Sequence, residues 1–427
     1  MSKYDKASLV HIPSGYKSGT LYNVLPNDAD GDFDFFRGST ATRVDENGLI
    51  ETIATGTPRL NYPLLDGVVQ DNPTLLLEPS RTNLITYSED FSQWTASDLT
   101  VTDNNSISPD GTLNASKLNL TSITSVKRIS LGSMPTSSAT RCYSVFFKTN
   151  DINSIQLLHS GDVQGYANFD LVNGVLGTSG SKTTSKIEKY GNGWYRCTAI
   201  FDNTNAFGST LFVYIKDNAS GTHGGSTSEV GDLFIYGAMY EQGSYPTSYI
   251  PTSGSSVTRS ADAANGAGTA NDFNDSEGVL YANIADFDND SFRQLTVSNG
   301  SNSYAISIMN TTTENQVVCF VNDGITQASI STILHSTHEF NKIAIKYKAN
   351  DFSVYINGFE IGTHTNGTVP TGLNTLNFDN GAGTDDVYGN TKEVIVFNEA
   401  LSDTELEALT SYDSFNSMAT EQLYTIE

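Results

Sequence analysis

Cysteine, histidine and charge are all scarce in this 427-residue sequence, and each scarcity removes a class of function. Cys142, Cys197 and Cys319 are odd in number and show no CxxC spacing, so they form neither a disulfide framework nor a zinc site. Cys142 and Cys197 fall inside the strand-like runs RCYSVFF and WYRCTAIF, where buried free thiols are expected, a state that suits assembly in a reducing cytoplasm. The six histidines are scattered, and there is no HExxH or GxSxG motif. No stretch approaches the roughly 18 apolar residues that a membrane-spanning helix needs, which argues against membrane insertion. The opening run MSKYDKASLVHIPSGYK lacks the apolar centre of a signal peptide.

Charged residues make up only 17% of the chain and are of unequal sign: 48 acidic against 23 basic, a net charge of −25. A chain this acidic repels phosphate backbones, which excludes nucleic acid as a partner, and the same charge keeps a β-rich protein soluble. What is abundant is Ser, Thr, Asn and Gly, with 36 glycines, while aromatic residues reach 10%. That mixture predicts an all-β protein of many short strands and tight turns, long enough for two or three domains.

Three parts are expected, with a C-terminal tail over 413–427. Residues 1–80 read as an irregular N-terminal segment, in which DADGD (28–32), FDFFRGSTATRVDENGLIE (33–51) and PRLNYPLL (58–65) are short pieces broken by Gly, Pro and Asn. Such a segment buries little surface alone and has to wrap on a neighbour, either another subunit or the next domain. Residues 81–260 alternate strongly: YSVFFKT, SIQLLHS, WYRCTAIFD, STLFVYIKD and DLFIYGAMYE read as strands of a jelly-roll sandwich, with Asn173-Gly174 and Asn192-Gly193 as turns. Its last stretch, SYPTSYIPTSGSSVTRSADAA, reads as a linker or edge strand. Residues 261–412 form a second sandwich, in which FSVYINGFEIG is a hairpin turning at Asn357-Gly358. Ser402 followed by Glu405 is a capping box that starts one short helix. The fold class is therefore two tandem antiparallel β-sandwiches after an irregular N-terminal segment.

Two stretches carry a resemblance. FFRGSTATRVDENGLIE, PRLNY, LLLEPSRTNLITYSEDFSQW and the later GWYR (193–196) keep the order and spacing of a module in many bacteriophage tail-fibre and head-fibre proteins. In those proteins the module precedes a carbohydrate-binding-like jelly roll, and here it covers about residues 30–260. KIAIKYKANDFSVYINGFEIG with EVIVFNEALSDTELEAL resembles the concanavalin A-like or laminin-G-like sandwich. The resemblance implies a virion structural protein, assembled in the host cytoplasm and released by lysis. It implies a tail fibre or receptor-binding protein that recognises host surface glycans, is homotrimeric, and attaches to other virion proteins through its N-terminal segment. The alternatives are a head fibre, capsid decoration or collar protein with a purely structural role, and a surface-polysaccharide depolymerase. Depolymerases usually show a long repetitive β-helix, which the sequence does not have.

No catalytic residue is expected. Glu78 in LLLEPS, beside Arg81, reads as a structural salt bridge rather than an acid catalyst. His335 and His338 lie three apart in a polar loop without a third ligand. Calcium is the one metal considered, because alternate acids on a loop supply oxygen ligands: Asp28, Asp30 and Asp32, or Asp286, Asp288 and Asp290. Neither run has the full twelve-residue loop, and a solvated acidic turn is the alternative. Asp379, Asp385 and Asp386 lie in a Gly-rich loop of the kind that binds ligands on the rim of laminin-G-like domains. For glycan stacking the aromatic candidates are Trp94, Trp194 and Tyr195, with Trp94 and Trp194 equally readable as core residues.

Overall fold

In the computed structural model, residues 3–121, 125–202, 208–288, 290–412 and 414 are described; apart from Ser414, the tail 413–427 lies outside them. The described residues are all-β with one α-helix, Asp403–Thr410. Its capping box is formed: the Ser402 amide and Oγ both donate to Glu405 Oε2, at 2.9 and 2.7 Å. All three cysteines are free and buried.

The first sandwich consists of two six-stranded antiparallel sheets. One runs in the order Thr95–Ser97, Arg128–Leu131, Leu211–Lys216, Ser154–His159, Tyr166–Asp170 and Val175–Ser179. The other runs Thr100–Ile107, Leu113–Leu120, Gly231–Gln242, Arg141–Thr149, Tyr195–Phe201 and Thr183–Lys189. Alternation explains the packing of Arg141–Thr149. Tyr143, Val145 and Phe147 enter the core between the sheets, and Phe146 points the other way, onto Trp194, Tyr236 and Tyr249. Both faces of this sheet are therefore covered, the second by chain from outside the sandwich, including Ile50.

The second sandwich pairs an eight-stranded sheet with a five-stranded one. Gly389–Phe397 is central to the larger sheet. One of its edges pairs with Glu277–Asp286; the other is shared by Ala7–His11, opposite Val394–Phe397, and Thr74–Leu77, opposite Gly389–Thr391. Arg59–Asn61 extends the sheet from Thr74–Leu77, and Phe33–Phe36 pairs with Ala263–Asn265 in a small sheet alongside. Leu9, Phe33, Phe35, Leu60, Leu75 and Leu77 share one core with Leu280, Val297 and Val396. The segment expected to stand ahead of the sandwiches for attachment instead gives the last one the strands Ala7–His11, Arg59–Asn61 and Thr74–Leu77. The neighbour they wrap on belongs to their own chain, so this segment gives no reason to invoke a trimer.

The chain thus leaves the last sandwich, forms the first, and returns. The outgoing strand Arg81–Asn83 and the returning strand Val257–Arg259 pair antiparallel where it crosses. The jelly roll is an insertion within the second sandwich.

Candidate ligand-binding site

The crossing is clamped by buried charge. Arg59 pairs with Glu78 at 2.6 Å and with Asp262, Arg259 reaches Glu78 at 2.8 Å, and Arg37 reaches Asp262 at 3.0 Å. The Glu78 amide donates to Asp262 Oδ2 at 2.8 Å, and the Ser248 amide and Oγ donate to the Glu78 carboxylate at 2.7 and 2.6 Å. Burial alone would raise the Glu78 carboxyl, but Arg259 and Arg59 outweigh it and hold it at about 2. Arg37 belongs to FFRGST, Arg59 to PRLNY, Glu78 to LLLEP, and Arg259 with Asp262 to TRSAD. Three charged positions of the quoted motif, Arg37, Arg59 and Glu78, are therefore structural. Glu78 is ion-paired as expected, although with Arg59 and Arg259 rather than Arg81, which lies 3.7 Å from Glu241.

Beside this clamp a cleft of about 800 Å³ opens between the sandwiches. Its walls come from the strands Thr183–Lys189 and Tyr195–Phe201, the segment 42–66, the return at 245–249, and residues 285–287, His338 and Phe340 of the last sandwich. Tyr62, Tyr190, Tyr195, Tyr245, Phe287 and Phe340 line it, together with Asn61, Asn173 and Asn390. Tyrosine offers a flat apolar face and a polar tip, and the asparagines offer donors and acceptors. Gly174 permits the close approach of Tyr195: a Cβ there would lie 2.6 Å from the Tyr195 ring.

The cations of the lining already have partners. Arg43 pairs with Glu51 at 2.9 Å, Lys186 with Glu188 at 3.0 Å and Lys189 with Asp66 at 3.3 Å. Arg196, 4% exposed, donates from Nη2 to Ser144 Oγ at 2.9 Å. At the far wall Asp286 is 4% exposed, and its Oδ2 accepts from Asn310 Nδ2. Burial pushes this carboxyl up to about 6, against the opposing pull of Asn310, Arg293 and His338. Tyr245 stacks on Phe287 with ring centroids 5.4 Å apart, and the Arg81 guanidinium lies over the Tyr245 ring at 5.2 Å from its centre.

Of the ligand and metal candidates, the structure brings Tyr195 and Asp286 to this cleft; Glu78 and His338, also weighed from the sequence, line it as well. Trp94 is core, packed on Phe91, with its Nε1 donating to the Tyr87 carbonyl at 3.0 Å. Trp194 is fully buried, and its Nε1 donates to the Ile107 carbonyl at 3.0 Å. Neither has a face open to a sugar. The calcium runs do not converge, and among the described residues no group of three or more His, Cys, Asp or Glu side chains is placed to hold a metal. Asp28 caps a 3₁₀ turn by accepting from the Gly31 amide at 3.1 Å, Asp32 accepts from the Asn23 amide at 2.8 Å, and Asp30 is exposed. Asp288 accepts from Ser244, Asp290 pairs with Arg293 and Asp286 accepts from Asn310, so each acid of the run has a separate partner. Asp379 accepts from the Gly381 amide at 2.6 Å, Asp385 from Asn380 at 3.0 Å and Asp386 from Tyr388 at 3.1 Å, so that the rim loop is tied to itself. Sequence reasoning missed Tyr62, Tyr245 and Arg196. Tyr245 falls in SYPTSYIP, whose prolines read as a linker; tyrosines spaced through such a stretch are the available signal.

Residues 280–407 match the family model of the concanavalin A-like lectin/glucanases superfamily, so the last sandwich is a laminin-G-type, concanavalin A-like domain. No curated protein matches the chain. Among solved structures, the CBM40 domain of the Ruminococcus gnavus IT-sialidase is similar at 17% identity and a TM-score of 0.29, over 32% of this chain and 84% of that one. The native heptameric SAP-like pentraxin from Limulus polyphemus aligns at 14% identity and a TM-score of 0.26, over 33% and 71%. Mouse laminin α1 chain domains LG4-5 align at 8% and 0.24, over 78% and 96%. Scores this low transfer nothing from those proteins to this chain.

Proposed function

We propose that this chain is a non-catalytic binding protein that takes a saccharide in the cleft between its sandwiches. The observation that carries the reading is the cleft itself: about 800 Å³, lined by Tyr62, Tyr190, Tyr195 and Tyr245 together with Asn61, Asn173 and Asn390. Flat aromatic faces with polar groups between them suit sugar rings, which present apolar C–H faces and a hydroxyl rim. Binding without cleavage is supported by the state of the lining acids. Glycoside hydrolysis needs two carboxylates acting as a pair. Of the four lining acids, Glu78 is locked between two arginines and Asp66 and Glu188 are each paired with a lysine, which leaves Asp286 without a second free carboxylate to act with it.

The setting we propose is the surface of a bacteriophage virion. That part rests on the order of FFRGSTATR, PRLNY, LLLEPSRTNL and GWYR and its resemblance to phage fibre modules. Immunogold labelling of parent particles with antibody against 272–412 tests it: gold at the tail tip supports receptor binding, gold on the head or neck a decoration role, and unlabelled particles exclude the virion. The cleft is tested by an oligosaccharide array with the full chain and Tyr62→Ala. Binding that falls at least tenfold in the variant is expected; binding unchanged by it moves the site elsewhere.

A further inference from the structure

Three buried side chains that line the cleft each hold a polar atom with no hydrogen-bond partner among the described residues: Asp286 Oδ1, Tyr245 Oη and Arg196 Nε. They come from three different elements, the strands Glu277–Asp286 and Tyr195–Phe201 and the return at 245–249. Their exposures are 4, 7 and 4%, so bulk water does not compensate them. We propose that the cleft selects an uncharged, hydroxyl-rich saccharide, with Asp286 Oδ1 accepting one of its hydroxyls; this rests on the saccharide reading above.

The argument is one of complementarity. Asp286 Oδ1 needs a donor, Arg196 Nε needs an acceptor, and Tyr245 Oη takes either. A sugar hydroxyl is both donor and acceptor, so one class of ligand suits all three. An anionic glycan would find Arg43, Lys186 and Lys189 already neutralised by Glu51, Glu188 and Asp66, and would meet the Asp286 carboxylate and a chain of net charge −25. A cation would leave Arg196 Nε unmatched. A cation would also stand close to Arg293, which acts on Asp286 electrostatically.

The test uses the full chain and an array of neutral hexose and N-acetylhexosamine oligosaccharides alongside sialylated, sulfated and uronate-bearing counterparts, with affinities by calorimetry. The variants are Asp286→Asn and Tyr62→Ala, each checked for folding by its thermal transition. Asn keeps the shape of Asp and replaces one acceptor oxygen with a donor. Neutral oligosaccharides are expected to bind, and both variants to weaken them at least tenfold. Neutral binding that Asp286→Asn leaves intact overturns the assignment of Asp286. Binding of acidic glycans alone, lost in Tyr62→Ala, overturns the neutral class while the cleft stands as the saccharide site. Binding of no glycan at all overturns the saccharide reading and this inference with it.

Discussion

At Asp286 a carboxylate is buried with one acceptor bond from Asn310, Arg293 and His338 near it, and an oxygen that no described residue meets. The stability consequence has a definite sign. Its folded value, about 6, lies above the ordinary 3.8, so the protonated group's contribution is complete below pH 3.8 and is lost as pH rises through 6. Asp286→Asn removes that loss. Urea unfolding is expected to show the variant more stable than the parent at pH 8 by about 2–3 kcal/mol, with the gap closing by pH 4. A variant less stable at pH 8 would show that the carboxylate is held by its neighbours. Glu78 has the opposite sign: held at about 2, it stabilises above pH 4.5 and loses this as pH falls towards 2. Glu78→Gln leaves Arg59 with Asp262 alone and takes from Arg259 the carboxylate it pairs with, and a loss of roughly 3–5 kcal/mol is expected in the same assay at pH 7. A loss under about 1 kcal/mol would mean that Asp262 and Ser248 suffice. Single residues are also where sequence reading is weakest. Asp286 stands out only as one acid of a DxDND run, and Trp194 opens an alternating strand. Nothing within ten residues of either says that one reaches a cleft and the other lies beneath Ile107.

The elements were far more legible than their partners. The alternation in 352–364 and the pair Asn357-Gly358 specify a hairpin locally, and the structure joins Phe352–Ile356 to Phe359–His364 through those two residues at φ 52° and 87°. Gly358 is required there twice, by its backbone angle and because a Cβ would lie 2.8 Å from Ser411 Oγ beyond the final helix. Gly358→Ala is expected to cost at least about 1–2 kcal/mol in urea unfolding, and no change would mean that the turn relaxes freely. By contrast LLL at 75–77 has no periodicity to read, since all of Thr74–Leu77 is buried. Its partners are Arg59–Asn61 on one side and Gly389–Thr391 on the other. Pairing across some 300 residues leaves no local trace, which is why the short strands before residue 80 look irregular in sequence and regular in the sheet.

The whole molecule is one β-sandwich opened to admit another. Its N-terminal strands lie on the same edge of Gly389–Phe397, so the C-terminal part is incomplete alone. A fragment of 261–427 lacks Ala7–His11, Arg59–Asn61 and Thr74–Leu77 and would expose Leu280, Val396 and the rest of that core where Leu9, Leu75 and Leu77 pack. The insertion differs in kind. Asn83 and Val257 are register partners, so the chain ends left by removing 84–256 already lie side by side. Arg37, Arg59, Glu78, Arg259 and Asp262, the five charges of the clamp, all remain, and of the contacts described for Glu78 only those from Ser248 go. A chain in which a short Gly-Ser turn replaces 84–256 is therefore expected to fold with one cooperative transition and far-ultraviolet dichroism typical of β-structure, while 261–427 expressed alone aggregates. Because the strands Thr183–Lys189 and Tyr195–Phe201 form one wall of the cleft, the shortened chain should bind no saccharide even when folded. Saccharide binding retained by that chain would place the site on the last sandwich alone; a folded 261–427 would show that its core closes without the N-terminal strands.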